Sequence, residues 1–137
     1  MRSKIMAVAA GVLTAAGLGL APSASAAPVE AQAPAASCFG AECNGLDPVA
    51  AGCVADSTVQ DFAYSETDGV IEIRFSRTCG AEYARLVYSR PGARLQVTGG
   101  DGTVYTRTVP SGSTTVVSPM SSWIRNAVSG DTVYISW

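Results

Sequence analysis

Apolar and polar side chains alternate with period two through most of the second half of the chain. Ile71, Ile73 and Phe75 alternate with Glu72 and Arg74; Ala93, Leu95 and Val97 alternate with Arg94, Gln96 and Thr98; Val133, Ile135 and Trp137 alternate with Thr132, Tyr134 and Ser136. Each run predicts a strand with one dry face. STVQDFAY (57–64), EYARLVYS (82–89), TVYTRTV (103–109) and STTVV (113–117) are rich in β-branched and aromatic residues, and the turn formers RPGA, GGDG and PSG bound them. About seven short strands at this spacing, with no crossover helices between them, predict an all-β fold. The expected form is a small closed barrel or a compact sandwich of antiparallel strands. SPMSSWIRNAV (118–128) is the one helical candidate, with Ser118 as cap, Pro119 at the first helical position and Trp123 packing downward.

STVQDFAY and VIEIRFS (70–76) flank SETDG, a turn-forming cluster ending in Gly69 that suits a hairpin loop. Setting Tyr64 opposite Val70 and following the strands backwards brings residue 55 opposite Cys79, with Cys53 two positions away. That matters because Cys38, Cys43, Cys53 and Cys79 have the spacing C-x4-C-x9-C-x25-C, in a chain without histidine. Structural zinc sites use paired short spacings, often with histidine, and thioredoxin-type centres use C-x-x-C. Four cysteines in a small exported domain read instead as two disulfides. Three pairings are open on count alone; the hairpin register favours Cys53 with Cys79, leaving Cys38 with Cys43.

Export is expected from the opening residues. Arg2 and Lys4 precede an uncharged apolar run from Ile5 to Ala21, then the small residues Ser23, Ala24, Ser25 and Ala26. The run is shorter than the roughly twenty residues of a spanning helix, so residues 1–26 read as a cleaved signal peptide. APVEAQAPAA (27–36) lacks large apolar side chains and reads as a flexible leader. Residues 37–137 form a single β-rich disulfide-bonded domain, of a size whose core gains from covalent ties.

Cys38-x-Gly40-x-x-Cys43-x-Gly45-x-Asp47-Pro48, followed by Cys53-x-x-Asp56 and Thr58, resembles the N-terminal signature of a secreted four-cysteine bacterial family of actinobacterial type. IEIRFSRTCGAEYAR (71–85) is similar to its later signature, with Glu72, Arg74, Ser76, Cys79, Tyr83, Ala84 and Arg85 in the matching places. The family is domain of unknown function 2690, and the resemblance covers roughly 38–120. Tyr83 stands where tryptophan is usual, and the segment after Met120 departs from the common ending. The resemblance implies a small, secreted, β-rich, disulfide-bonded domain and carries no functional residues.

Charge narrows the function classes. Without the signal peptide seven arginines face eleven acids, a net −4 with no lysine or histidine. Nucleic acid is a poor partner for such a surface. Histidine-based triads and histidine-ligated metals are ruled out, and no cofactor is expected. Glu66, Asp68 and Glu72 are the nearest approach to a carboxylate pair for a small hydrolase, but two of them fall in the predicted turn. The charge is uneven: 27–72 holds eight acids and no base, whereas 73–137 holds seven arginines and three acids. If Leu86 and Val104 are core, Arg85 and Arg107 point outward with Tyr83 and Tyr105, and Arg94 points outward from its own strand. An arginine and tyrosine face suits an anionic or sugar-bearing partner. The expectation is a secreted, extracellular, non-catalytic monomer, off the membrane once its signal is cut, that binds wall polymer or an extracellular protein. The alternative is an inhibitor of a protease or wall hydrolase, presenting SRPGAR or FGAEC to the enzyme.

Overall fold

A computed structural model describes residues 35–136, so the expected signal peptide and all but the end of the leader lie outside the described residues. Among the described residues eight strands form: β1 (Thr58–Ser65), β2 (Gly69–Ser76), β3 (Ala81–Val87), β4 (Arg94–Gly99), β5 (Val104–Thr108), β6 (Val116–Val117), β7 (Ile124–Ser129) and β8 (Thr132–Ile135). They pair antiparallel in two four-stranded sheets, ordered β1-β2-β3-β6 and β5-β4-β7-β8. No named strand is shared between the sheets, so the fold is a sandwich and not a closed barrel.

The hairpin register places Tyr64 opposite Val70. Gly69 closes its turn with φ +95, and a methyl group there would overlap the Val87 carbonyl. Ile71 and Ile73 of β2, Ala84 and Leu86 of β3, Leu95 and Val97 of β4, and Ile124 and Ala127 of β7 meet with Val109 between the sheets. Each large aliphatic side chain buried there stabilises the fold by about 1.5–3 kcal/mol.

A second, smaller core lies on the other side of β3. Cys43, Ala51, Cys53, Cys79, Ala81, Tyr83 and Met120 pack together where the segment 37–57 crosses that face. A 3-10 turn (Gly40–Cys43) begins this covering layer. Cys38 is bonded to Cys43, and Cys53 to Cys79, with Cα separations of 5.1 and 5.7 Å. Backbone bonds from Gly40 N–H to the Cys79 carbonyl (2.7 Å) and from Gly45 N–H to the Met120 carbonyl (2.9 Å) complete the attachment. Asp56 secures its end, accepting from Ser76 Oγ (2.7 Å), Thr78 N (2.7 Å) and Thr78 Oγ1 (2.8 Å).

Three expectations are corrected. The helix over 118–128 does not form; Ile124–Ser129 is β7. Ile124 and Ala127 are spaced like helix neighbours, but a register shift between Thr98 and Gly99 turns both toward the core of a strand. In β8 the dry face is inverted. Tyr134 packs on the core and Thr132 is buried, while Val133 is 49% exposed. Pairing of Tyr134 with the inward Ala127 dictates this side. Of STTVV only Val116–Val117 is strand, paired with Leu86 and Arg85.

Candidate functional site

The structure does not gather the five candidate binding residues. Tyr83 is on the outer side of β3, yet the disulfide layer covers it to 1% exposure, and its hydroxyl bonds to Ser57 Oγ at 2.7 Å. Arg85 shares that side and lies opposite Glu72, but the Glu72 carboxylate pairs with Arg74 at 3.0 Å. Tyr105 and Arg107 of β5 stand opposite Val97 and Leu95, so they point toward the inner side of the sandwich. Val104, expected in the core, is 51% exposed instead. The cause is position: β5 is an edge strand facing little more than the two-residue β6, so nothing requires its inward side to be apolar. Tyr105 uses that side to pack against Gly45. Arg94 alone projects from the outer face of the second sheet.

That outer face is the candidate site. The first sheet has its outer side partly occupied by 37–57, whereas no described segment covers the outer side of β5-β4-β7-β8. Strand pairing sets Thr106, Gln96, Val128 and Val133 in one row across it, and Val104, Thr98 and Asn126 in the next. Strands β4, β5, β7 and β8 contain no aspartate or glutamate, but hold Arg94, Arg107 and Arg125. The charge asymmetry along the chain thus becomes an acid-free sheet.

Trp123 stands at one end of this face. The Gly100 N–H donates to its carbonyl at 3.0 Å, and the indole lies against Gly100 so closely that a methyl group there would overlap it. Trp123 is 45% exposed, with the Arg125 guanidinium 5.9 Å from the ring centroid. Two anchors hold the backbone around it. Asn44 Oδ1 accepts from Ser122 N at 2.7 Å, and Glu82 Oε2 reaches from the first sheet to accept from Ile124 N at 2.7 Å. A flat ring fixed at the entry to β7 can stack on a sugar ring while the guanidinium and the rows of hydroxyl and amide groups beside it hydrogen-bond the sugar's hydroxyls.

Burial pushes the Glu82 carboxyl above its ordinary value of 4.5, and the Ile124 N–H offsets only part of this. The folded state therefore holds that proton to higher pH than the unfolded chain. The contribution of Glu82 to stability is full below pH 4.5 and is lost as pH rises through the folded value. Glu82→Gln keeps an acceptor for Ile124 and removes the charge. Its stability by urea unfolding is expected to exceed that of the parent at neutral pH, with the difference closing in acid. Asp56 and Asp101 run the other way. Burial raises Asp56, but its bonds from Ser76 and Thr78 outweigh that, and bonds from Thr103 lower Asp101; their support fades as pH falls below 3.8.

Asp47 and Asp68 are engaged locally. Asp47 accepts from Val49 N (2.9 Å) and Ala50 N (3.0 Å), and Asp68 accepts from Asp131 N (3.1 Å) and faces Arg90 at 3.7 Å. A comparison with protein families matches residues 41–130 to the family described as protein of unknown function DUF2690. The chain belongs to this family. The span matched to DUF2690 runs from the covering layer through β7 and so includes Trp123, Arg125 and both anchors, Asn44 and Glu82. No curated protein and no solved structure gave a match. Trp123 and Arg125 escaped the sequence reading because the helix expected over 118–128 turned Trp123 inward. The signal that would have found them is GG at 99–100, where a strand leaves room for a ring laid on its backbone.

Proposed function

We propose that this DUF2690 chain is an extracellular binding module that holds a glycan strand of the cell-wall type on the outer face of β5-β4-β7-β8. The observation that carries this is the Trp123 indole, laid on Gly100 and flanked by Arg125 at the end of an acid-free sheet. Trp123 supplies the stacking surface, Arg125 and Arg94 donate to hydroxyl or anionic substituents, and Gln96, Thr98, Thr106 and Asn126 provide neutral donors and acceptors. Export to an oxidising compartment fits the two disulfides and the signal-like residues 1–26. Among the described residues no helix is long and apolar enough to cross a membrane.

Retention on insoluble peptidoglycan and on chitin tests this. The parent protein is expected to sediment with at least one of them. Trp123→Ala should weaken retention about tenfold, since loss of a stacking aromatic costs on the order of 1.5 kcal/mol. Equal retention of parent and variant would remove Trp123 from the site.

A further inference from the structure

A groove of about 600 Å³ opens on the first sheet, well separated in sequence from Trp123, and is lined by Asp56, Thr58, Gln60, Phe75, Arg77 and Thr78. Its origin is local. Ile71 and Ile73 are sealed in the core, whereas Phe75, next in the same alternation, is only half-buried and forms an apolar wall. Beside it β1 bulges between Val59 and Asp61, setting Gln60 out of register. The volume lies within the range of small-ligand sites.

The hydrogen bonds already made show what the groove still offers. Asp56 has accepted from Ser76 Oγ once and from Thr78 twice, so both oxygens are in use. Gln60 Nε2 donates to Thr58 Oγ1 at 2.8 Å, which leaves the Thr58 hydroxyl proton free to donate. Arg77 is exposed, and the two ion pairs formed by described arginines belong to Arg74 and Arg90. A forked guanidinium, one hydroxyl donor and an aromatic wall therefore face one space. The ionised Asp56 beside them disfavours a dianion such as phosphate and leaves a singly charged head group as the better fit.

We propose that this groove binds a carboxylate carried on an apolar body, with Arg77 and Thr58 holding the carboxylate and Phe75 the apolar part. Two sources share that chemistry: the C-terminal residue of a peptide, and a free aromatic or aliphatic acid. The test follows backbone amide signals of the purified protein while it is titrated with acetyl-Ala-Phe, with the amide of the same dipeptide, and with 3-phenylpropionate. Both acids are expected to move the signals of Thr58, Gln60, Arg77 and Thr78, and the dipeptide amide to bind at least about tenfold more weakly than the acid. Tighter binding of the dipeptide acid than of phenylpropionate assigns a peptide terminus; equal binding assigns a free acid. Arg77→Gln should weaken both acids about tenfold while leaving retention on glycan unchanged, and Trp123→Ala should leave acid binding unchanged. Equal binding of acid and amide, parent-like binding by Arg77→Gln, or no movement of these signals at ~10 mM acid would overturn the proposal.

Discussion

Replacing Cys53 and Cys79 together by alanine is expected to lower the unfolding free energy by about 3.5 kcal/mol, read as a fall in the urea midpoint. The figure follows from closing a loop of sequence separation 26 in the unfolded chain. The same treatment of Cys38 and Cys43, separation 5, gives about 2 kcal/mol. A domain of this size holds on the order of 5–10 kcal/mol in total, so the first change consumes a large part of it. Its effect is also the more damaging in place. Cys53 and Cys79 are both fully buried against Ala81, Tyr83 and Met120, so loss of the bond frees the layer that covers β3 and exposes Tyr83 to water. The Cys38 and Cys43 pair closes only a short turn within that layer. Equal midpoints for the two double variants would contradict this ordering.

Gly100→Ala is expected to weaken glycan retention as much as loss of the tryptophan itself, about tenfold. The new methyl group would occupy the volume of the Trp123 indole, so the ring must leave its seat on Gly100. The Gly100 backbone does not lie in the left-handed region, so the substitution strains no dihedral angle and acts through the ring alone. Overpacking of this kind costs roughly 1–3 kcal/mol of stability. Displacement of the indole is visible as a shift of the Trp123 indole N–H signal, which is followed separately from that of Trp137, the chain's other tryptophan. A variant with a parent-like Trp123 indole signal and parent-like retention would show that the ring has no fixed seat.

The all-β class, antiparallel pairing and the hairpin register were legible because β2, β3 and β4 are central strands covered on their inner side. There the two-residue period decides which side chains meet the core, as Ile71, Leu86 and Leu95 do. The period failed at the edges. On β5 the inward side faces almost nothing, so Tyr105 and Arg107 take it; on β8 the partner strand, not hydropathy, turns Tyr134 inward. It failed again at β7, where a register shift gives Ile124 and Ala127 a helix-like spacing. Tyr83 was read as outward, which is correct for the sheet, but a third layer held by disulfides covers it. No pattern local to β3 announces a covering segment that comes from residues 37–57. The candidate site was least legible of all, because an exposed Trp123 looks like a core residue until its neighbour across the strands, Gly100, is known.

The most direct measurement is a titration of the isotopically labelled protein with soluble N-acetylglucosamine oligomers, followed through backbone amides and the Trp123 indole N–H. Perturbations confined to Trp123, Arg125, Asn126 and the outward positions of β4 and β5 are the expected result. Perturbations centred on β1 and β2 with an unmoved Trp123 indole, or none at all at ~10 mM oligomer, would contradict it.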